Sequence, residues 1–208
     1  MKELSDRVLD YLAQHAVQDL REGISLDDAL STDLNSVTFA HHLRKQIKDQ
    51  DADWLVSLLS SDSPIQRKLA LDMTKPVANY PVVENALISM WDEEEDELVK
   101  LSLVFAILNI KNLNEELHRK VFYWIRDHEE PFKKTVAEWY GGEEKILNTV
   151  KIRSEDSSLV KAGNWIYMPC ALASNNMGGA REFVSNFQGN GGTLIEEVRE
   201  YALARLGG

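Results

Sequence analysis

Apolar residues recur along this chain at helical spacing almost everywhere. Val8, Leu12 and Ala16 fall at i, i+4 and i+8, and Leu69, Met73 and Val77 do the same. Leu101, Phe105 and Leu108 continue the pattern, with Leu98, Val104 and Ile107 widening the stripe. Such spacing gathers each set on one face of an α-helix. Period-two alternation is scarce. Its best instance, "NWIYM" at 164–168, sits inside a longer helical pattern. The pattern predicts an all-α chain.

Dense punctuation predicts that the helices are short. Pro64 follows Asp62 and Ser63, a cap followed by a first-turn proline. Pro81 separates two apolar runs, and Pro131 falls in the first turn after "RDHEE". Gly141-Gly142 ends the run that closes on Trp139 and Tyr140. Pro169 lies well inside an apolar run, where a proline kinks or ends a helix. Thr193 and Glu196 have the spacing of a capping box.

One phrase returns. "SDSPIQRKLAL", "EEEDELVKLSL", "DHEEPFKKTVA", "SEDSSLVKAGN" and "TLIEEVREYAL" each set an acid or cap a few residues before a basic residue. The basic positions are Arg67, Lys100, Lys133, Lys161 and Arg199, spaced 33, 33, 28 and 38 apart. Each phrase follows an amphipathic run: "DWLVSLLS", "VVENALISMW", "RKVFYWIR", "EKILNTVKI" and "AREFVSNFQ". The unit is a short helix, an acidic turn and a second helix. A lone helical hairpin cannot bury its apolar face, so a repeat of this length predicts hairpins stacked on hairpins.

These phrases resemble HEAT repeats, whose second helix opens on an acidic turn followed by Val-Arg; "SDSPIQRKLAL" and "SSLVKAGN" look closest. The resemblance implies an α-α superhelix of about five degenerate hairpins over residues 52–206. Residues 1–50 would form an N-terminal helical cap, and 1–208 a single domain. It also implies a structural ladder between turn acids and basic residues: Asp62, Glu95 and Asp156 with Arg67, Lys100 and Lys161, continued by Lys133 and Arg199. Lysine stands for arginine in three of the five units, a departure from the family pattern. A rival use of Lys133 and Lys134 is as a basic strip along the inner face.

Charge narrows the function. The chain carries 34 acidic residues against 23 basic ones, a net charge of -11. A polyanion is repelled by such a surface, so nucleic acid is disfavoured and a basic protein partner fits better. The lone Cys170 excludes an internal disulfide and, with no cysteine partner, disfavours a cysteine zinc site. No signal peptide is visible and no run approaches the roughly 18 apolar residues of a membrane span, so a cytoplasmic location is expected.

Candidate chemistry is thin. "WDEEEDE" at 91–97 is the strongest acidic cluster; it fits no calcium loop and reads as a helix opening on the favourable end of its dipole. His41-His42, His118 and His128 lack ligand spacing, and "GNGG" at 189–192 lacks the ending of a phosphate loop. Cys170 reads as a buried small residue. No catalytic residue, metal or cofactor is implied. The expected partner contacts are Glu93, Glu94, Asp96, Glu129 and Glu130. The alternative is an enzyme similar to the HEAT-like DNA glycosylases that act on alkylated bases, with Trp139 and Trp165 flanking Glu138.

Overall fold

The computed structural model describes residues 6–24, 37–111, 113–155, 164–188 and 192–207. Among them there is no strand, so the chain is all-α, and no helix is long and apolar enough to cross a membrane. The chain divides into two compact units, Met1–Ile107 and Leu108–Gly208. The first holds α1 (Asp6–Arg21), α2 (Val37–Lys45), α3 (Ala52–Leu59), α4 (Pro64–Met73), α5 (Pro81–Glu93) and α6 (Glu97–Ile107). The second holds α7 (Glu115–Asp127), α8 (Glu129–Tyr140), α9 (Glu143–Glu155), α10 (Tyr167–Ser174), α11 (Ala180–Asn186) and α12 (Leu194–Arg205).

In the first unit the helices pair as hairpins and the hairpins lean on one another. α1 packs on α2, α3 on α4 and α5 on α6; α3 also packs on α5, and α4 on both α2 and α6. Like therefore stacks on like, because each helix of 8 to 16 residues must bury two apolar stripes to persist. The buried spine runs through Leu55, Leu59, Leu69, Met73, Leu87, Leu103 and Ile107. Polar pins fix the register. His42 Nδ1 lies 2.5 Å from Asp10 Oδ1, joining α2 to α1. Arg44 Nε donates over 2.7 Å to the carbonyl of Asp72, so a cation sits at the negative end of α4.

Proline sets the helix starts. Ser63 caps α4 through the backbone N–H of Gln66, with Pro64 in the first turn, and Pro81 opens α5. Pro76 has a consequence that the spacing of Leu69, Met73 and Val77 hides. α4 ends at Met73, and Val77 is buried from a separate 3-10 turn, Lys75–Val77. The stripes also shift by a residue. Val8 and Leu98 are exposed, while α1 buries Leu9, Ala13, Ala16, Val17 and Leu20. Leu101 is only half-buried, and Leu103 takes the centre of α6.

The second unit is organised differently. Every residue of α10 is buried, and α7, α8, α9, α11 and α12 all pack against it. Its small residues, Cys170, Ala171, Ala173 and Ser174, let the neighbours approach closely. "NWIYM" is thus a 3-10 turn, Asn164–Ile166, leading into this helix. Pro169 neither kinks nor ends α10, because it occupies the first turn, where no backbone N–H is required. Gly141 closes α8 in the left-handed conformation at φ 71°. The capping box at α12 does not form: Thr193 Oγ1 receives a hydrogen bond from Arg119 instead.

The stripe assignment is testable by a pair of truncations. Leu103→Ala should cost about 3 kcal/mol in urea denaturation, since it opens a cavity in the spine. Leu98→Ala, at 64 % exposure, should leave the midpoint unchanged.

Candidate functional site

Three of the recurring basic residues bind carbonyls at the end of a helix or just past it. The last carbonyls of a helix lack partners within it and carry its negative dipole end. Arg67 Nη1 donates to the carbonyls of Ser61 at 2.9 Å and Asp62 at 3.1 Å, just beyond α3. Lys100 Nζ donates to the carbonyl of Trp91 and, over 3.4 Å, to that of Glu94, at the end of α5. It also lies 4.3 Å over the Trp91 ring. Arg199 Nε donates over 2.7 Å to the carbonyl of Phe187, at the end of α11. In these three hairpins the second helix supplies a cation to carbonyls at or just past the end of the first.

Arg67 does more. Its Nε and Nη2 donate to Glu94 Oε2 and Oε1 at 2.7 and 2.9 Å, a two-pronged pair that ties the α3–α4 turn to the α5–α6 turn. The ladder contact between these neighbouring hairpins is therefore Arg67 with Glu94, one residue before the expected Glu95, whose side chain is exposed. Asp62 contributes its carbonyl, and its side chain is exposed. Burial pushes the Glu94 carboxyl up, but the hydrogen bonds from Arg67 and the Asp96 backbone outweigh it, and the group titrates below its usual range. The Glu94 hydrogen bond, in turn, raises Arg67. Lys133 is half-buried on α8, while Asp156 and Lys161 lie outside the described residues.

Around this pair the first unit has a groove of about 540 Å3. Leu59, Ala86 and Met90 give it an apolar floor, and the α5–α6 turn gives it a carboxylate rim. The structure thus brings Glu93, Glu94 and Asp96 together with Glu95. Their roles separate. The Glu94 side chain is 3 % exposed and committed to Arg67. Asp96 caps α6, its Oδ1 accepting from the N–H groups of Leu98 and Val99 at 3.0 Å each. Glu93 and Glu95 project into solvent and carry the rim's available charge.

The remaining candidates lie in the second unit. Glu129 accepts from Arg205 Nε at 2.9 and 3.0 Å and is not a free contact. Glu130 is exposed beside a shallow groove of about 570 Å3, where it and Glu138 balance Lys133 and Lys134. That balance leaves no basic strip there. Trp165 is wholly buried, its ring edge-on to His118 at 5.4 Å, so it presents no face on which a base could stack. Trp139 is half-buried. Cys170 is enclosed in α10, and burial pushes its thiol up, away from nucleophilic chemistry. Among the described residues no group of three or more His, Cys, Asp or Glu side chains is placed to hold a metal ion.

The double role of Arg67 predicts an order of costs. Arg67→Met should lower the stability of the protein by about 2–3 kcal/mol, since it leaves Glu94 turned inward without its cation. Lys100→Met, which removes a cap and the ammonium over the Trp91 ring but leaves Glu94 paired with Arg67, should cost about 1 kcal/mol. The depressed Glu94 contributes stability above its ordinary carboxylate pKa, and that contribution disappears as pH falls through its lowered value. Urea titrations from pH 6 to pH 3 should accordingly show a shallower acid loss in Glu94→Gln than in the parent protein.

Comparison of the chain with models of protein families, with curated proteins and with solved structures gives no match.

Proposed function

We propose that this protein is a non-enzymatic binding module, an adaptor or inhibitor, that holds a basic segment of a partner protein on an acidic HEAT-like surface. In this reading the hairpins of residues 52–206 form one superhelix of about five units behind an N-terminal helical cap, with the packing around α10 in the second unit a departure from regular stacking. The like-on-like stacking within the first unit supports it, as does the elements' agreement with the repeat, the first and second helices of four phrases being α3–α4, α5–α6, α7–α8 and α11–α12.

The groove at the α5–α6 turn is the observation that carries the proposal. It pairs an apolar floor with a carboxylate rim, the arrangement that suits a lysine or arginine side chain with an aliphatic stem and a charged head. Arg67 sits at its edge, but its charge is matched by Glu94, so the local field remains negative. The net charge of -11 extends that field over the surface and favours encounter with cations.

Titration calorimetry with a short arginine- and lysine-rich peptide at two salt concentrations tests the reading. Binding should weaken with salt, as exposed charges are screened beyond a Debye length of about 8–10 Å. The double variant Glu93→Lys/Glu95→Lys should bind about tenfold more weakly, roughly 0.7 kcal/mol per reversed rim charge. An equally strong response to a glutamate-rich peptide, or an unchanged affinity in the double variant, would refute the assignment.

A further inference from the structure

The first unit contains a second cleft of opposite character. It is about 220 Å3 and lies between the C-terminal half of α1 and the turn that follows α2. Arg21, Lys45 and Lys48 line it, with glutamines from both sides: Gln14 and Gln18 from α1, Gln46 and Gln50 from the turn. No carboxylate is among its lining residues, in a chain where acids outnumber bases 34 to 23.

Helix geometry explains the convergence. Gln14, Gln18 and Arg21 stand at i, i+4 and i+7, one face of α1. Arg21 is held in place from outside the cleft: its Nη2 donates over 2.9 Å to Asp51, whose carboxylate also takes the backbone N–H of Lys48 at 2.9 Å. Asp51 is buried, so it orients the arginine without lining the cavity. Lys45 lies 3.5 Å from Asp10. Among the described residues Lys48 makes no ion pair.

Asp51 and Asp10 face Arg21 and Lys45, so Lys48 supplies the cleft's unmatched positive charge, which an anion in the cleft would balance. The carboxamides of Gln14, Gln46 and Gln50 add neutral donors for anionic oxygens and acceptors for hydroxyl hydrogens, while Gln18 donates to Glu22. Arginine and lysine together are the side chains that grip phosphate, one as a fork and one as a point charge. The cleft is smaller than the roughly 300–1,000 Å3 of pockets that take drug-sized ligands, so the ligand is compact. We propose that this cleft is a binding site for a small phosphate-bearing anion, a free phosphate or a phosphate monoester with a short polar body.

The site is independent of the acidic groove, and its test does not involve the basic peptide. Inorganic phosphate and glycerol phosphate are titrated against the whole protein at fixed ionic strength, with chloride as the control anion, and followed by thermal melting and by amide NMR shifts. Phosphate should raise the melting temperature where chloride does not, and shift amides within residues 14–21 and 45–50. Affinity should grow as pH rises through about 6, where a phosphate monoester takes its second charge. Lys48→Gln, an exposed position whose backbone bond to Asp51 is retained, should weaken binding at least tenfold, and Lys45→Gln should act in the same direction. Tighter binding of glycerol phosphate than of inorganic phosphate would identify a monoester as the ligand class; the reverse order would identify the free ion. Shifts scattered over surface lysines, or full affinity in Lys48→Gln, would overturn the proposal.

Discussion

A cation from the second helix set on carbonyls at or just past the end of the first is the interaction that three of the hairpins share. Helices such as α3 and α11 have eight and seven residues, so the unpaired carbonyls of the last turn are a large share of their backbone. Water could satisfy the carbonyls where the chain leaves such a helix, but a side chain from the next helix satisfies them and ties the two helices together. Lys100 does this for α5 through the carbonyl of Trp91, whereas Arg67 and Arg199 bind the carbonyls just past the ends of α3 and α11. In three of the five phrases the recurring basic residue therefore meets carbonyls where the first helix of its hairpin closes.

From this common device the two units diverge. In the first, the arginine version reaches beyond its own turn, since a guanidinium has enough donors to cap one helix and grip Glu94 on the next hairpin. Lysine has a single ammonium, and Lys100 stays within its own turn region in the contacts it makes with Trp91 and Glu94. The Arg67–Glu94 pair also shapes the acidic groove by taking one carboxylate from the rim; with Asp96 engaged in capping α6, Glu93 and Glu95 are left to face solvent. In the second unit packing is centripetal, and the wholly buried α10 replaces hairpin-on-hairpin stacking as the source of order.

Helical class, helix starts at Pro64 and Pro81, and the end of α8 at Gly141 were legible because each rests on local chemistry. Which residues face inward was less so. In α6 nine of eleven residues are apolar or small, so periodicity alone cannot choose Leu103 over Leu101 or Leu98. The choice is made by α4 and α5 on either side. Trp165 was ambiguous for a similar reason, since an indole suits a core and a groove equally well until its neighbours are known. Of the acidic cluster, the location was readable but not the division of labour. Adjacent carboxylates in "EEED" are equivalent on paper, and only the reach of Arg67 separates Glu94 from Glu95. The polar cleft escaped notice because its cations are scattered among glutamines with no motif spacing.

The burial of Cys170 gives the second unit a built-in reporter. The chain has one thiol, it is sealed at the centre of α10, and its protonated form is favoured there. Alkylating reagents can reach it only when the surrounding helices part. The rate of its modification in native buffer therefore counts those openings, in the way that slow amide exchange does for a backbone N–H. A single natural residue thus serves as a clock for the breathing of that interior.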